Sequence, residues 1–96
     1  MFSIKRFEEF LKKHCEEIRC VNCGEPLCDV IVESYPHDNG IPIEEFNGEK
    51  RWVYVFCPKC KYENALWKIE KFSIPDELLK EYAKEVYKIE LDNHKE

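Results

Sequence analysis

The chain has 96 residues, a formal net charge of −5 and 44% hydrophobic residues. This length predicts one domain over residues 1–96, with a core small enough to need a metal or disulfide staple. The acidic balance argues against tight non-specific binding to phosphate backbones, which depends on many Lys and Arg side chains. No apolar run approaches the roughly 20 residues of a membrane span, and no signal-peptide core is present. We therefore expect a cytoplasmic protein without a membrane partner.

The charged residues are biased toward Glu and Lys, and the chain contains neither Gln nor Thr. This bias is typical of hyperthermophile proteins, in which Glu and Lys form surface ion-pair networks and amide side chains are reduced. We therefore expect a thermophilic source, and an ordinary small protein rich in Glu and Lys is the alternative.

The first predicted element is a helix over residues 3–18. Its apolar residues recur at steps of three and four, as on one face of a helix. They are Phe7, Phe10, Leu11, Cys15 and Ile18. Ser3 is placed to cap the helix start with its hydroxyl. We expect the apolar stripe to face the core of the domain.

The central residues 20–71 are predicted to form an antiparallel sheet. Residues 27–35 are rich in β-branched side chains and predict its first strand. Residues 35–42 are dense in Pro, Asn, Asp and Gly and predict a loop. The sheet is thus expected to begin soon after the first pair of cysteines in this region.

A hairpin signal stands in the middle of the chain. Asn47-Gly48 is the strongest two-residue turn signal, and the strand predicted after it covers residues 51–56. That strand is apolar on both faces, which is typical of a central strand. A last strand is predicted over residues 64–70, and its first face would carry Ala65, Trp67 and Ile69.

A second helix is predicted over residues 74–91. Pro75 falls in its first turn, and Ser73 and Asp76 beside it are capping candidates. Its inner stripe is Leu79, Tyr82, Ala83 and Val86. Opposite charges three residues apart indicate a solvated outer face. The predicted fold class is α+β, with a small antiparallel sheet flanked by an N-terminal and a C-terminal helix.

Four cysteines form the main chemical motif, as two CxxC pairs, Cys20/Cys23 and Cys57/Cys60. Two intervening residues let a tight turn direct both sulfurs of a pair at one ion. Two such turns then complete the tetrahedral site that Zn²⁺ prefers. Gly24 follows the first pair and tolerates a left-handed backbone. We predict one structural zinc ion held by these four residues.

The motifs CVNCG and CPKC, with strand-like sequence after each, resemble those of the zinc-ribbon group. The resemblance covers residues 20–71 and implies two knuckles on β-hairpins with a three-stranded antiparallel sheet. It also implies a binding role, because members often bind nucleic acid or protein. One position departs from the common pattern, since Lys61 stands where a Gly often follows the second knuckle. We expect the turn at Lys61 to be strained or altered.

A rubredoxin-like iron site is the alternative interpretation of the same cysteines. Rubredoxins resemble this chain in having two CxxC knuckles beside aromatic residues, and they carry electrons on iron. The missing glycine at Lys61 counts against this interpretation, because that turn directs N–H groups toward the sulfurs. A thiol redox protein belongs to the same functional class.

The remaining candidate ligands are two cysteines and three histidines. We favour free, buried thiols for Cys15 and Cys28. A disulfide between them, or an alternative ligand set that combines them with Cys20 and Cys23, stays open. The histidines His14, His37 and His94 show no metal-site spacing. His37 lies in the predicted loop and is interpreted as a surface residue, with a second metal site or a catalytic role as the alternative.

The sequence favours a binding or interaction module and not an enzyme. Four thiolates leave zinc no open position for catalysis, and no nucleophile–base pattern or phosphate-binding loop is present. Its partner, protein or nucleic acid, is unresolved; a purely structural subunit is a third class. Possible nucleic-acid contacts are Lys59, Lys61 and Arg51. They belong to a basic group near the knuckles in sequence that also includes Arg19 and Lys50, with the aromatic Tyr62 beside it. The simpler interpretation, which we prefer, is that Lys59 and Lys61 offset the negative charge of the metal centre.

Overall fold

The computed structural model describes residues 2–89, so the last predicted helical residues, 90 and 91, lie outside the described part. The α+β prediction is confirmed. The helices are α1 (Ile4–Lys13), α2 (Leu66–Lys68), which continues as a π-helical turn (Ile69–Ser73), and α3 (Asp76–Val86). The strands are β1 (Ile31–Pro42), β2 (Lys50–Phe56) and β3 (Glu63–Ala65). Within residues 2–89, no helix is long and apolar enough to cross a bilayer.

Helix α1 begins as predicted but ends early. The Ser3 hydroxyl accepts the N–H of Arg6 at 3.3 Å, and Phe7, Phe10 and Leu11 are buried. The predicted extension to residue 18 is wrong, because the chain leaves the helix after Lys13 and turns through residues 14–17. This turn carries Ile18 into a hairpin, where its carbonyl accepts the N–H of Leu27 at 3.0 Å.

Cys15 and Cys28 form a disulfide, which corrects the interpretation of both as free thiols. Both side chains are half-buried rather than enclosed in the core. Residues 18–27 form a short hairpin in which Arg19 and Pro26 make an antiparallel bridge. The disulfide closes the base of this hairpin. The helical stripe that included Cys15 did not reveal this pairing, because the helix ends before Cys15.

The sheet is antiparallel with the order β1-β2-β3, so β2 is central, as its two apolar faces predicted. Its inner face buries Val53 and Val55 in the core. The outer face carries Trp52, Tyr54 and Phe56, all half-buried. Helix α1 packs on α3 through contacts such as Phe10–Tyr82, with ring centroids 5.3 Å apart, and buried residues of both helices share one hydrophobic cluster with Val53 and Val55.

Strand β1 differs from its prediction at both ends. It starts at Ile31 rather than residue 27, and it runs through the predicted loop to Pro42. The register shifts within it, since Pro36 and Ile41 both lie opposite Arg51. The Pro- and Gly-rich sequence therefore forms an irregularity inside the strand. Gly40 is required there, because a Cβ atom would lie 2.3 Å from the carbonyl carbon of Arg51.

The strand predicted over residues 64–70 is wrong beyond Ala65. From Leu66 the chain is helical, with Leu66 and Ile69 buried and Trp67 49% exposed. A strand would point residues 66 and 69 to opposite faces, whereas a helical turn places both on one side. Burial of this pair in the core therefore accounts for the helix.

Helix α3 is shorter than the predicted 74–91, because it begins at Asp76 and ends at Val86. It buries Leu78, Tyr82, Ala83 and Val86, so Leu78 takes the position in the core that was predicted for Leu79. Leu79 packs at the edge of the core. Neither Ser73 nor Asp76 caps the helix with its side chain. The Ser73 hydroxyl instead donates to the carbonyl oxygen of Arg19 at 2.7 Å, which links the segment before α3 to the first knuckle.

The disulfide predicts a thiol count. In metal-free, denatured protein we expect four titratable thiols before reduction and six after it, measured with a chromogenic disulfide reagent. The Cys15→Ser/Cys28→Ser variant is the control and should give four thiols in both cases. It should also lose about 3 kcal/mol of unfolding free energy, because the loop between the two residues is no longer closed. Six thiols before reduction would contradict the disulfide.

Candidate metal centre

The first cysteine pair lies in a tight turn at the tip of the hairpin after α1. The N–H of Cys20 donates to the carbonyl of Glu25 at 2.9 Å, and the N–H of Gly24 donates to the carbonyl of Cys20 at 3.0 Å. Gly24 has a φ of +83°, the left-handed conformation that glycine adopts without steric cost. We call residues 20–24 the first knuckle.

The second cysteine pair follows β2 and repeats this turn, and we call residues 57–61 the second knuckle. The N–H of Cys57 donates to the carbonyl of Tyr62 at 3.1 Å, and the N–H of Lys61 donates to the carbonyl of Cys57 at 3.1 Å. Lys61 has a φ of +63°, so it adopts the conformation of Gly24 despite its side chain. The turn is therefore kept, at a steric cost of about 1–2 kcal/mol.

The two knuckles bring the four sulfurs together, all within 4.8 Å of one another. The Sγ atoms of Cys20 and Cys60 are 3.7 Å apart, and those of Cys23 and Cys57 are 3.5 Å apart. A tetrahedral ion with metal–sulfur distances of ~2.3 Å has sulfur–sulfur edges of roughly 3.8 Å. The arrangement is thus compatible with one metal ion in a zinc-ribbon-like site, while both distances exceed the length of a disulfide bond.

Backbone N–H groups point at the sulfurs, as the knuckle turns require. The N–H of Asn22 donates to Cys20 Sγ at 3.3 Å. The N–H groups of Lys59 and Cys60 donate to Cys57 Sγ at 3.3 and 3.4 Å. Such donors stabilise thiolate over thiol, and thiolate is the form that binds a metal.

Two asparagine side chains complete this set of donors, and neither was singled out from the sequence. The Asn22 amide donates to Cys60 Sγ at 3.4 Å, across from the first knuckle to the second. Asn64 is fully buried, and its Nδ2 lies 3.5 Å from Cys20 Sγ. The available signal was an amide next to Ala65 and Leu66 inside a predicted strand, because a buried amide must satisfy its hydrogen bonds.

Asn64 joins the first knuckle to the sheet. Its Oδ1 accepts the N–H of Val21 at 2.9 Å, and its Nδ2 lies 3.2 Å from the carbonyl oxygens of both Val55 and Tyr62. One side chain therefore holds the first knuckle, the end of β2 and the second knuckle in a fixed relation.

The thiol pKa values show how closely the four groups interact. The Asn22 amide is the main cause that lowers the pKa of Cys60 to about 6. The N–H of Glu25 lowers the pKa of Cys23, but desolvation and the neighbouring thiols outweigh it and raise this pKa to about 12. Burial raises the pKa of Cys20, and N–H donors reverse that effect and lower it overall. Four thiolates at these distances therefore need a cation.

The three predicted nucleic-acid contacts do not form one surface. Lys59 and Lys61 are exposed on the second knuckle. Arg51 lies at the opposite end of β2, about 20 Å from Cys57 by strand length. Its guanidinium donates to the hydroxyl and carbonyl oxygens of Ser34 and packs 4.3 Å from the Phe46 ring centroid. Arg51 is therefore remote from the two lysines.

The alternative ligands are not part of this cluster. Cys15 and Cys28 are bonded to each other, so the ligand set that combines them with Cys20 and Cys23 is wrong. His14 contacts Glu17 and Glu81, and His37 packs against Trp52, while His94 lies outside the described residues.

Comparison with protein-family models, curated proteins and solved structures found no match. The geometry of the cysteine cluster and its surroundings therefore carries the functional argument.

Asn64 gives a prediction about the metal centre. Asn64→Asp replaces the NH₂ group of the amide by a carboxylate oxygen. That oxygen cannot donate to the Cys20 sulfur or to the carbonyl oxygens of Val55 and Tyr62, and it repels them. We expect the metal affinity to fall roughly 10–100-fold in a chelator competition assay. The control Asn22→Asp removes one exposed bond to sulfur and should weaken the affinity less. Equal affinities in Asn64→Asp and the parent protein would contradict the role of Asn64.

The positive φ of Lys61 gives a second prediction. Lys61→Gly should raise the unfolding free energy by about 0.5–1 kcal/mol, since relief of the left-handed strain exceeds the entropic cost of glycine. Denaturant unfolding of the metal-loaded protein measures this change. The control Lys59→Gly, at a position without positive φ, should be destabilising. Destabilisation by both substitutions would show that Lys61 is not strained.

Proposed function

We propose that this chain is a zinc-binding protein whose four-cysteine site is structural and supports a small binding or interaction module. One observation carries the proposal: two matching knuckles bring four sulfurs within 4.8 Å, with backbone and asparagine donors directed at them. Sulfur-only sites of this type favour Zn²⁺ or iron. When bound, zinc supplies a central positive charge that draws the two knuckles together.

The position of the cysteines in the core supports a structural role. Cys20 and Cys57 are 4% and 1% exposed and belong to the main hydrophobic cluster. Cys23 and Cys60 lie at the surface and would close the site from outside. Four protein ligands leave a tetrahedral ion no position for substrate or water, which supports binding rather than catalysis.

Iron is a second candidate, favoured by one specific observation. The sequence argument against a rubredoxin-like site was the missing glycine at Lys61. Lys61 nevertheless adopts the left-handed conformation, and the N–H donors to Cys57 are present. N–H donors to sulfur also tune the reduction potential of an iron site. We keep zinc as the proposal because four thiolates in closed tetrahedral geometry are its usual structural site.

Metal content and its loss test the proposal. Protein purified without a metal-binding tag should contain one zinc per chain by elemental analysis and show no visible absorption. Cys20→Ser and Cys57→Ser should each lose the metal and the cooperative thermal transition, because structural zinc contributes folding free energy. The Cys15→Ser/Cys28→Ser variant is the matched control and should retain its zinc.

Two other results would point away from structural zinc. A red protein with one iron per chain, both as purified and from cells of its native source, would favour the electron carrier. A full thermal transition in metal-free Cys20→Ser and Cys57→Ser proteins would refute a structural metal site of either kind.

A further inference from the structure

We propose that single-stranded nucleic acid binds a surface beside the first knuckle, built from three aromatic rings and three cations. We call it the basic–aromatic surface, and its residues are Arg19, Tyr62, Trp67, Lys68, Lys71 and Phe72. The proposal names a partner class for the proposed binding module and therefore rests on it. It also differs from the sequence hypothesis, which placed nucleic-acid contacts at Lys59, Lys61 and Arg51.

Close contacts connect the three rings and two of the cations of this surface, Lys68 and Lys71. The Lys68 ammonium donates to the Tyr62 hydroxyl at 2.9 Å and lies 5.6 Å from the Trp67 ring centroid. The Trp67 and Phe72 rings are 6.3 Å apart, and the Lys71 ammonium is 5.4 Å from the Phe72 ring. Cations and rings therefore alternate along one continuous surface.

An open depression of about 630 Å³ lies in this surface. Arg19, Tyr62, Lys68 and Phe72 line it, together with Cys20 of the first knuckle. The Ser73–Arg19 hydrogen bond holds two sides of the depression together. The basic–aromatic surface is thus attached to the metal centre and to the turn that leads into α3.

The three rings are available for stacking to different degrees. Phe72 is 64% exposed and Trp67 is 49% exposed, whereas Tyr62 is half-buried. Both exposed rings are held on the helical segment whose other side buries Leu66 and Ile69. Stacking of bases on exposed aromatic rings is the sequence-tolerant contact that proteins use for single strands. A duplex hides its base faces and offers no such contact.

The charges on this surface are not neutralised within the described chain. Among residues 2–89, no carboxylate pairs with Arg19, Lys68 or Lys71. Ion pairs form elsewhere instead, as between Lys13 and Glu81 at 3.1 Å. Within the described part of the chain, the Arg19 side chain donates only to the carbonyl of Gly24, at 3.1 Å. Three cations without ion-pair partners, next to exposed rings, match the alternating phosphates and bases of a single strand.

Acidic groups near this surface limit the expected affinity. Glu17 lines the depression, although it also contacts His14 at 3.1 Å. Glu70 accepts hydrogen bonds from Tyr82 and Tyr87, and it lines a second depression, next to α3, together with Trp67 and Lys71. The outer face of the sheet is less suited to phosphate, because Glu33 lies across from Tyr54 and Glu63 across from Phe56. We therefore expect moderate, strongly salt-dependent binding on the basic–aromatic surface.

Fluorescence of single-tryptophan variants provides the direct test. Trp52→Phe leaves Trp67 on the proposed surface, whereas Trp67→Phe leaves Trp52 on the outer sheet face. Titration with a short oligothymidylate at low salt should quench Trp67 and leave Trp52 unchanged. The logarithm of the binding constant should fall with log salt at a slope of about −2, as expected for three phosphate contacts on a single strand.

An abasic oligomer of the same length as the oligothymidylate carries the phosphates but no bases. Its affinity therefore separates the contribution of base stacking from that of phosphate charge. The abasic oligomer should bind roughly tenfold more weakly, or worse, because it offers no rings to Trp67 and Phe72. Phe72→Ala should lose a comparable factor toward oligothymidylate. Lys68→Glu/Lys71→Glu should weaken binding at least about tenfold and reduce the salt slope. The control Lys12→Glu/Lys50→Glu makes the same charge change at exposed positions outside the basic–aromatic surface and should have little effect.

Metal content and the thermal transition are measured on every sample, so a loss of fold is separated from a loss of binding. Failure of intact, metal-loaded protein to bind oligothymidylate at low salt would overturn this proposal and leave the metal-centred module standing. The proposal would also be overturned if the abasic oligomer bound as tightly as oligothymidylate. The same holds if Lys12→Glu/Lys50→Glu lost as much affinity as Lys68→Glu/Lys71→Glu. Tighter binding of polyglutamate than of oligothymidylate would assign the surface to an acidic protein instead.

Discussion

The mutual repulsion of four closely spaced sulfurs is the constraint on which this structure depends. All four Sγ atoms lie within 4.8 Å, so ionisation of one opposes ionisation of the next. Desolvation and the neighbouring thiols raise the pKa of Cys23 to about 12, whereas the Asn22 amide is the main cause that lowers the pKa of Cys60 to about 6. A cation at the centre turns the repulsion into attraction toward a shared ion. Asn64 and the N–H donors then fix the geometry in which that attraction joins the two knuckles.

Two cross-links, the Cys15–Cys28 disulfide and the four-cysteine site, constrain the first knuckle and add to the stability that a small core provides. The disulfide between Cys15 and Cys28 closes the base of its hairpin, and the four-sulfur site closes its tip. The buried cysteines Cys20 and Cys57 also belong to the hydrophobic cluster, so the metal centre and the core support each other. The basic–aromatic surface adjoins this braced knuckle, which keeps its rings and cations in a fixed arrangement for binding.

The sequence predicted those features that depend on local spacing. The CxxC pairs identified the sulfur cluster, the capping of α1 by Ser3 followed from its hydroxyl, and the two apolar faces of β2 placed it centrally. Features that depend on tertiary contacts were not predictable in this way. Leu66 and Ile69 are helical because both must reach the core, and Cys15 meets Cys28 because α1 ends early. Asn64 gains its role only when Val21, Val55 and Tyr62 are brought around it.

X-ray absorption spectroscopy at the edge of the bound metal tests the central claim most directly. It reports the element, the number of sulfur ligands and the metal–sulfur distance in the intact protein. We predict a single type of metal site with four sulfur ligands at ~2.3 Å. A first shell containing nitrogen or oxygen, or fewer than four sulfurs, would contradict the four-cysteine centre from which the fold and function are argued.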